Sequence, residues 1–235
     1  MIEAYLERAS TYAGDIDILF SGVFWIVAVW FVAAEGVLFY FCFRYRKQEG
    51  VAAKYVTGEE KSYKKFISVP HYLILVFDIF IIAGAILVWY NIKQRLPENP
   101  DLTVGIISQQ WAWTFIHPGA DGELHTADDI KTIDELHLME NTTYLYELES
   151  LDVLHSFSVP VFRLKQDAIP GRKIVGWFTP TKTGEWDIQC TEICGIGHGL
   201  MPARVHIRSA YDHEQWLEEN TPAEAGQALA AASNP

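Results

Sequence analysis

The sequence predicts a membrane protein in which two transmembrane α-helices are followed by an all-β domain of the Greek-key sandwich or barrel class. Two long apolar runs, residues 18–43 and 69–92 of the 235-residue chain, predict the helices. Each run exceeds the roughly 20 residues that a helix needs to cross a bilayer. Short segments rich in β-branched and aromatic residues, separated by Gly and Pro, follow from residue 102 onward and are typical of strands joined by turns.

The first run, residues 18–43, is predicted to stay in the membrane as a helix rather than to be removed as a signal peptide. A cleavable signal peptide has a basic start, a shorter apolar core and a small-residue cleavage site. Residues 1–17 instead contain one basic residue, Arg8, against four acidic residues. We therefore expect residues 1–17 to form a short external N-terminus.

The segment between the two runs, residues 44–68, predicts the orientation of the chain. It contains seven Lys and Arg residues against three Glu residues. Positively charged loops stay on the cytoplasmic side of a membrane. We therefore expect a cytoplasmic loop, with both termini on the periplasmic side of the inner membrane. Trp89 and Tyr90 lie at the end of the second run and are expected to anchor it at the outer lipid interface.

Two ionisable side chains, Glu35 and Asp78, lie inside the apolar runs. Such groups usually face a protein partner or a water-filled path, so they predict a subunit contact or a proton route. The structural alternative is that Glu35 reaches the nearby interface and that Asp78 pairs locally. Cys42, near the membrane edge, is interpreted as a small apolar residue rather than a reactive thiol.

Residues 93–210 are predicted to form the all-β domain. Five segments read as its strands: residues 102–107, 143–148, 173–178, 184–189 and 203–207. Residues 211–235 predict a short amphipathic helix followed by a flexible tail rich in small residues.

The charge of the chain is unevenly distributed. From Leu96 onward there are 8 Lys and Arg against 21 Asp and Glu, a net charge of −13, whereas the whole chain carries −12. This sign excludes nucleic acid as a partner. It favours a cationic protein partner, because opposite charges raise the rate of encounter. A requirement for solubility alone would explain the acidity but not its confinement to one side of the membrane.

A run of metal-ligand residues follows the fourth predicted strand. Four potential ligands lie within twelve residues: Cys190, Cys194, His198 and Met201. Two thiolates, an imidazole and a thioether favour copper, because thioether sulfur is a soft ligand. A zinc ribbon would need a second Cys or His pair, and the third cysteine, Cys42, lies in an apolar run. His155 is the best candidate for a further ligand; a structural zinc site, or two free cysteines, is the alternative.

Four motifs, in order along the chain, carry a resemblance to a known family: Gln110-Trp111-Ala-Trp113, Asp152-Val-Leu-His155-Ser, Lys165-Gln-Asp167-Ala-Ile-Pro170-Gly-Arg172 and Cys190-x-Glu192-x-Cys194-x-x-x-His198-x-x-Met201. Together they resemble subunit II of haem-copper respiratory oxidases, which carries the binuclear copper A centre. The resemblance extends from about residue 18 to about residue 209. It implies a cupredoxin fold for residues 93–210, with the Cys190–Met201 loop joining the last two strands.

The resemblance also implies the ligands of a two-copper site. Cys190 and Cys194 are expected to bridge both copper ions, and His155 and Met201 to bind one of them. His198 is expected to bind the other, together with the main-chain carbonyl of Glu192. The Glu192 carboxylate is expected to reach a magnesium ion at the interface with the catalytic subunit; its alternative role is a solvated acid.

The remaining expected roles concern partners. Trp111 is expected to be the point where electrons enter from cytochrome c, and Asp167 and Arg172 to lie at the interface with the haem-containing catalytic subunit I. The expected function is therefore electron relay from cytochrome c through copper A to haem, for oxygen reduction by the partner subunit. Trp111 as a core aromatic residue, and Asp167 as a turn residue, are the structural alternatives.

Two positions depart from the family pattern. Ala112 replaces the usual tyrosine between the two tryptophans. The glutamate that often precedes the second span is missing, since the corresponding place, in the register set by Pro70, reads Lys61-Ser-Tyr63-Lys-Lys-Phe. The second departure leaves the copper A subunit of a nitric oxide reductase as the alternative function. A stand-alone membrane-tethered electron carrier is the third class, but it would have no use for the interfacial Asp167 and Arg172.

The segment of residues 117–129 looks like an insertion between strands. Its carboxylates flank a Gly turn, an arrangement that can bind calcium, but their spacing does not match a helix-loop-helix calcium site. A solvated acidic loop is the preferred interpretation.

Overall fold

The structure is a computed structural model that describes residues 5–222. It divides into two compact units, one formed by residues 17–90 and the other by the residues before and after them. The predicted fold class, two apolar helices followed by an all-β domain, is confirmed. The predicted tail falls largely on residues 223–235, which lie outside the described residues.

The helical unit contains most of α1 (Ala13–Arg44) and all of α2 (Lys61–Trp89). Both helices are long and apolar enough to span a membrane. They pack through an edge-on contact between the rings of Trp30 and Phe77, whose centroids are 6.2 Å apart. Nearer the start of α1 and the end of α2, a Cβ atom on Gly84 would lie 3.4 Å from the side chain of Leu19. Small residues allow helix backbones to approach closely in a membrane.

The helices are longer than the apolar runs that predicted them. Helix α2 begins at Lys61, eight residues before the predicted start, and α1 begins five residues before it. The connection between helices is therefore residues 45–60 rather than 44–68. The physical reason is that a nucleated helix extends at little cost through polar residues such as Lys, which have good helix propensity. Hydropathy therefore locates the apolar part of each helix, whereas backbone hydrogen bonding decides its ends.

The β domain is a sandwich of two five-stranded sheets. Its strands are β1 (Leu102–Gln109), β2 (Ala112–His117), β3 (Ile130–Ile133), β4 (Glu135–Met139), β5 (Tyr144–Ser150), β6 (His155–Val159), β7 (Leu164–Ala168), β8 (Ile174–Phe178), β9 (Gly184–Cys190) and β10 (Ala203–Arg208). One sheet has the order β3-β2-β1-β5-β8 and the other β4-β10-β9-β6-β7. The β1–β5 and β4–β10 pairs are parallel, and the other pairs are antiparallel.

The core lies between the two sheets and is mainly aromatic. Strand β5 alternates buried and half-buried residues, as expected when one face of a strand packs inward. Its Tyr146 stacks on Phe178 of β8, and Phe157 of β6 packs edge-on against Trp113 and Phe115 of β2. All five residues of β6 are buried, so this strand places His155 inside the sandwich.

Two peripheral segments complete the β unit. Residues before α1 join it: Ala9 N–H donates to the carbonyl of Val161, and the Ser10 hydroxyl donates to that of Phe162. At the other end, α3 (Ala210–Asn220) begins at Ser209, whose hydroxyl accepts from Asp212 N–H and caps the helix. Helix α3 packs on β4 and β10 through Trp216. The short helix was expected, but the docking of the N-terminal segment was not.

Candidate metal centre

The loop between β9 and β10 brings its two cysteines together. Strand β9 ends at Cys190, and the loop then turns back so that the Sγ atoms of Cys190 and Cys194 are 3.8 Å apart. Gly195 has a φ of 125°, in the region that favours glycine, and directs the chain away from Cys194. The Cys190 Sγ also lies 3.3 Å from the carbonyl oxygen of Glu192. The turn itself therefore supplies two sulfurs and one backbone oxygen facing one another.

His155 reaches the same place from the neighbouring strand. Strand β6 pairs with β9 and begins at His155, whose Nδ1 lies 3.9 Å from the Cys190 Sγ. Its Nε2 lies 2.9 Å from Oδ1 of Asp152. A carboxylate only accepts, so Nε2 donates and the lone pair of Nδ1 faces the cysteine. Such a carboxylate partner typically orients a metal-binding imidazole.

The remaining two candidate ligands lie beside Cys194. Its Sγ is 3.6 Å from Nδ1 of His198 and 3.9 Å from Sδ of Met201. His198 belongs to a short 3-10 turn, and Met201 follows that turn directly. All five candidate ligand side chains predicted from the sequence are therefore brought together.

Burial sets the electrostatics of the site. His155 is fully buried, and Cys194 and Met201 are each only 2% exposed. Burial and the adjacent Cys190 raise the pKa of the Cys194 thiol to about 11. For Asp152, partial burial by itself would raise the pKa, but hydrogen bonds from His155 and from the backbone N–H groups of Val153 and Gln110 lower it.

The arrangement fits a metal centre. The ligand atoms of His155, Cys190 and Cys194 lie within 4.8 Å of one another. Metal–thiolate bonds of about 2.3 Å allow two thiolates on one ion to be at most about 4.6 Å apart. The observed 3.8 Å between the two sulfurs satisfies that limit. The two thiolates, with a thioether and imidazoles, form a soft donor set that suits copper.

Comparison with known proteins identifies the family. Residues 102–208 match the family described as cytochrome c oxidase subunit II, periplasmic domain. The alternative cytochrome c oxidase subunit 2 of Bradyrhizobium diazoefficiens is 33% identical, in a match covering 89% of this chain and 82% of that protein. This chain belongs to the cytochrome c oxidase subunit II family. With its two apolar helices, it is a membrane subunit that carries the periplasmic domain of that family.

Other relatives match over shorter parts of their length. The probable cytochrome c oxidase subunit 2 of Rickettsia felis is 32% identical, in a match covering 80% of this chain and 62% of that protein. Among solved structures, the periplasmic domain of subunit II of cytochrome oxidase from Bradyrhizobium japonicum is 27% identical. That match covers 54% of this chain and 96% of the solved domain, with a TM-score of 0.48.

The two tryptophans of the family motif occupy different environments. Trp113 is fully buried, and its indole N–H donates to the carbonyl of Met201. Trp111 is 37% exposed, and its ring lies against the loop that joins β9 to β10 and contains Cys194, His198 and Met201. A Cβ atom on Gly197 would lie only 2.4 Å from Cδ2 of that ring, and one on Gly195 3.2 Å from Cζ2. The absence of a side chain at these two glycines therefore allows Trp111 to cover the loop.

The predicted interface residues do not all meet. Lys165 lies between two carboxylates, with its Nζ 3.1 Å from Oδ1 of Asp167 and 3.1 Å from Oε1 of Glu192. The Ser156 hydroxyl donates to the same Asp167 oxygen, and this bond, with Lys165, lowers the pKa of Asp167. Arg172 is exposed on the turn between β7 and β8, outside this charged cluster.

Sequence reasoning missed two supporting residues of the centre. Asp152, quoted only as part of a motif, orients His155 and also accepts from Gln110 N–H at 2.7 Å. The Gln110 side-chain amide in turn donates to the carbonyl of Cys194 at 2.7 Å. Both residues begin a family motif, and Asp152 also lies three residues before a candidate ligand; Gln110 is 84 residues from Cys194 in the chain, so no pattern pointed to that contact.

The acidic loop of residues 117–129 uses its carboxylates to hold its own backbone. Asp128 accepts from the Thr126 hydroxyl and from Asp121 N–H, and these bonds, the first above all, lower its pKa. Asp121 and Asp129 likewise accept from the N–H groups of Glu123 and His125. The loop carboxylates therefore serve as turn caps.

Proposed function

We propose that this chain is the electron-relay subunit of a haem-copper oxidase. In this function it holds a binuclear copper A centre, takes electrons from a cationic cytochrome c and passes them to haem in subunit I for oxygen reduction. The observation that supports the proposal is the group of potential ligand atoms around the two cysteine sulfurs. Two sulfurs 3.8 Å apart are surrounded by two imidazoles, a thioether and one carbonyl, all turned towards them.

Each residue of the centre has a role in this proposal. Cys190 and Cys194 would hold both copper ions, because each thiol faces the other as well as further candidate ligands. His155 and Met201 would hold one ion, whereas His198 and the carbonyl of Glu192 would hold the other. When bound, the copper pair supplies one-electron storage shared over two metals. With every nearby donor used as a ligand, the site suits electron transfer rather than substrate binding.

The protein keeps these ligands in place. His155 lies on a fully buried strand and is held by Asp152, while Met201 is held through the bond from Trp113 to its carbonyl. Rigid ligands limit the change in geometry when an electron arrives or leaves. The fold thus favours fast electron transfer by restricting the motion of its own side chains.

Electrons are proposed to enter at Trp111. Its indole is partly exposed at the surface and lies in contact with the loop that carries the ligands. The acidic outer domain would attract a cationic donor to this side of the membrane. Three apolar side chains of the same loop, Ile193, Ile196 and Leu200, are also exposed and offer contact area for a protein partner.

The interface with subunit I is proposed to include Asp167, Arg172 and Glu192. Arg172 is exposed and free to form a bidentate contact with a carboxylate or a haem propionate. The Glu192 side chain would contribute one oxygen to a magnesium ion whose other ligands come from the partner. Because Glu192 is paired with Lys165, that ion would have to displace the ammonium group.

The proposed orientation places both termini in the periplasm. Hydrogen bonds of Ala9 and Ser10 to the β domain support this orientation, because they attach the segment before α1 to the domain that follows α2. Two membrane spans between them require that arrangement, and the basic connection between the helices then faces the cytoplasm.

The test is the activity of the purified complex on two acceptors. A complex copurified with this chain should oxidise reduced cytochrome c with oxygen and show the mixed-valence electron paramagnetic resonance signal of copper A. The lack of a glutamate near Tyr63, where the family often has one, keeps a nitric oxide reductase as the second candidate. Reduction of nitric oxide with negligible oxygen consumption would select that candidate, whereas loss of the signal from a copper-loaded chain would overturn both.

A further inference from the structure

A second group of potential metal ligands lies on the sheet β4-β10-β9-β6-β7, near its edge strand β4. It consists of Glu135 and His137 on β4 and His206 on β10, and their ligand atoms lie within 4.8 Å of one another. His137 is directly opposite His206 on the parallel neighbouring strand, and Glu185 on β9 is opposite His206 on its other side. Side chains opposite one another share a face of the sheet. Three adjacent strands therefore place these groups side by side.

His206 is held in the state that a metal ligand requires. Its Nδ1 lies 3.1 Å from Oε1 of Glu185. Because the carboxylate only accepts, Nδ1 donates and Nε2 keeps its lone pair. That Nε2 is buried and has no hydrogen-bond partner among residues 5–222. Metal-bound histidines almost always donate their other N–H in this way.

The distances within the group are close to those of a metal site. The His137 Nε2 lies 3.5 Å from Oε2 of Glu135. Zinc–nitrogen and zinc–oxygen bonds are about 2.0–2.2 Å, so two ligands of one ion are at most about 4.4 Å apart. The group spans up to 4.8 Å, so a contraction of a few tenths of an ångström suffices. Glu135 is exposed and His206 is half-buried.

Arg208 competes with an ion at this place. One of its N–H groups donates to Nδ1 of His137, which leaves the proton of His137 on Nε2. A metal on Nε2 needs the opposite arrangement, so the ion has to displace the guanidinium. The His137 ring itself stays in position, because it is stacked on Trp216 at 4.2 Å. His206, whose ring lies nearly parallel to that of His137 at 4.7 Å, is the ligand that turns.

We propose that Glu135, His137 and His206 bind a divalent transition-metal ion of the zinc class, with the fourth position open to water. Two imidazoles and one carboxylate form a nitrogen and oxygen donor set that suits zinc, in contrast to the sulfur-rich copper loop. The site shares no residue with the proposed copper centre.

The test is zinc binding by the full chain carrying Cys190→Ser and Cys194→Ser, which removes the thiol ligands of the copper loop. Isothermal titration calorimetry at pH 7.5 should find one zinc ion per chain. Adding His206→Asn should weaken binding at least about tenfold. Adding Glu135→Gln, at an exposed position where folding is not at risk, should weaken it as well. Arg208→Gln should bind zinc more tightly, because the competing donor is gone.

The matched control is His125→Asn, on an exposed histidine of the acidic loop that should leave binding unchanged. Failure to bind zinc stoichiometrically, or equal affinity with and without His206 and Glu135, would overturn the proposal. Weaker binding by the Arg208 variant would remove His137 from the ligand set and with it the proposed site. The copper signal of the unsubstituted chain is measured separately, so failure of the electron-relay proposal would be distinguishable.

Discussion

Cys194 and Met201, both on the loop between β9 and β10, are expected to contribute differently to the proposed copper centre. Cys194→Ser removes a proposed bridge and should leave at most one copper ion, with loss of the mixed-valence signal. Met201→Leu should keep both ions and change the reduction potential, because a weak axial thioether tunes a copper site more than it holds it. Copper analysis, paramagnetic resonance and redox titration of the full chain test this. An unaltered mixed-valence signal in Cys194→Ser would contradict the bridging assignment.

Two glycines of the same loop form a matched pair. A Cβ atom at Gly197 would lie 2.4 Å from the Trp111 ring, whereas one at Gly199 would have no neighbour within 4 Å. Gly197→Ala should therefore displace Trp111, lower stability by about 1–3 kcal/mol and slow electron uptake from cytochrome c. Gly199→Ala is the control and should change neither. Thermal unfolding measures the stability, and stopped-flow reduction measures the rate of electron uptake. Equal stabilities and equal rates for the two variants would contradict a role of the Trp111 contact in electron entry.

At the scale of elements, the attachment of α3 is expected to depend on pH. Burial, with the nearby Arg208, lowers the pKa of His213 on this helix to about 4. An unfolded histidine has a pKa of about 6.5, so the folded state excludes a proton that the unfolded state accepts. The stability contribution is therefore present above pH 6.5 and is lost as the pH falls towards 4.

The size of this effect follows from linkage. Between pH 7.5 and pH 5 the unfolded state should gain about 2 kcal/mol relative to the folded state from His213 alone. His213→Gln should remove that part of the acid sensitivity. Urea unfolding, followed through tryptophan fluorescence at the two pH values, compares the chain with the variant. An identical pH dependence in both would show that His213 does not titrate between the folded and unfolded states.

At the scale of the whole molecule, the separation of charge should govern association with the electron donor. The chain from Leu96 onward carries a net charge of −13, and the connection between the helices is basic. The rate of reduction by a cationic cytochrome c should fall steeply as ionic strength rises, because salt screens the attraction beyond about 8–10 Å. A small neutral reductant is the control and should show no such dependence. A rate with cytochrome c that salt leaves unchanged would contradict electrostatic steering.

Patterns among residues close in sequence were enough to predict the membrane helices, half of the strands and most of the candidate ligands. The apolar runs predicted both spans, alternation and turn residues predicted five strands, and twelve consecutive residues contained four of the five candidate ligand side chains. Each of these features depends on interactions between residues close in sequence, or on the transfer of a continuous segment into lipid, so it is visible in a linear pattern. Helix α2 begins eight residues before its apolar run, because helical hydrogen bonding extends into the polar residues that precede it.

The tertiary structure decided which distant residues meet. Gln110 reaches the carbonyl of Cys194 across 84 residues, residues 9 and 10 dock on the β domain, and His137 lies beside His206 only because β4 and β10 pair in parallel. No local pattern marks such contacts, since they depend on strand order and register. Short motifs and apolar runs were therefore enough to indicate the family, the two candidate spans and the candidate ligands. Only the packing of the two sheets decided which side chains orient those ligands and where a second group of ligands assembles.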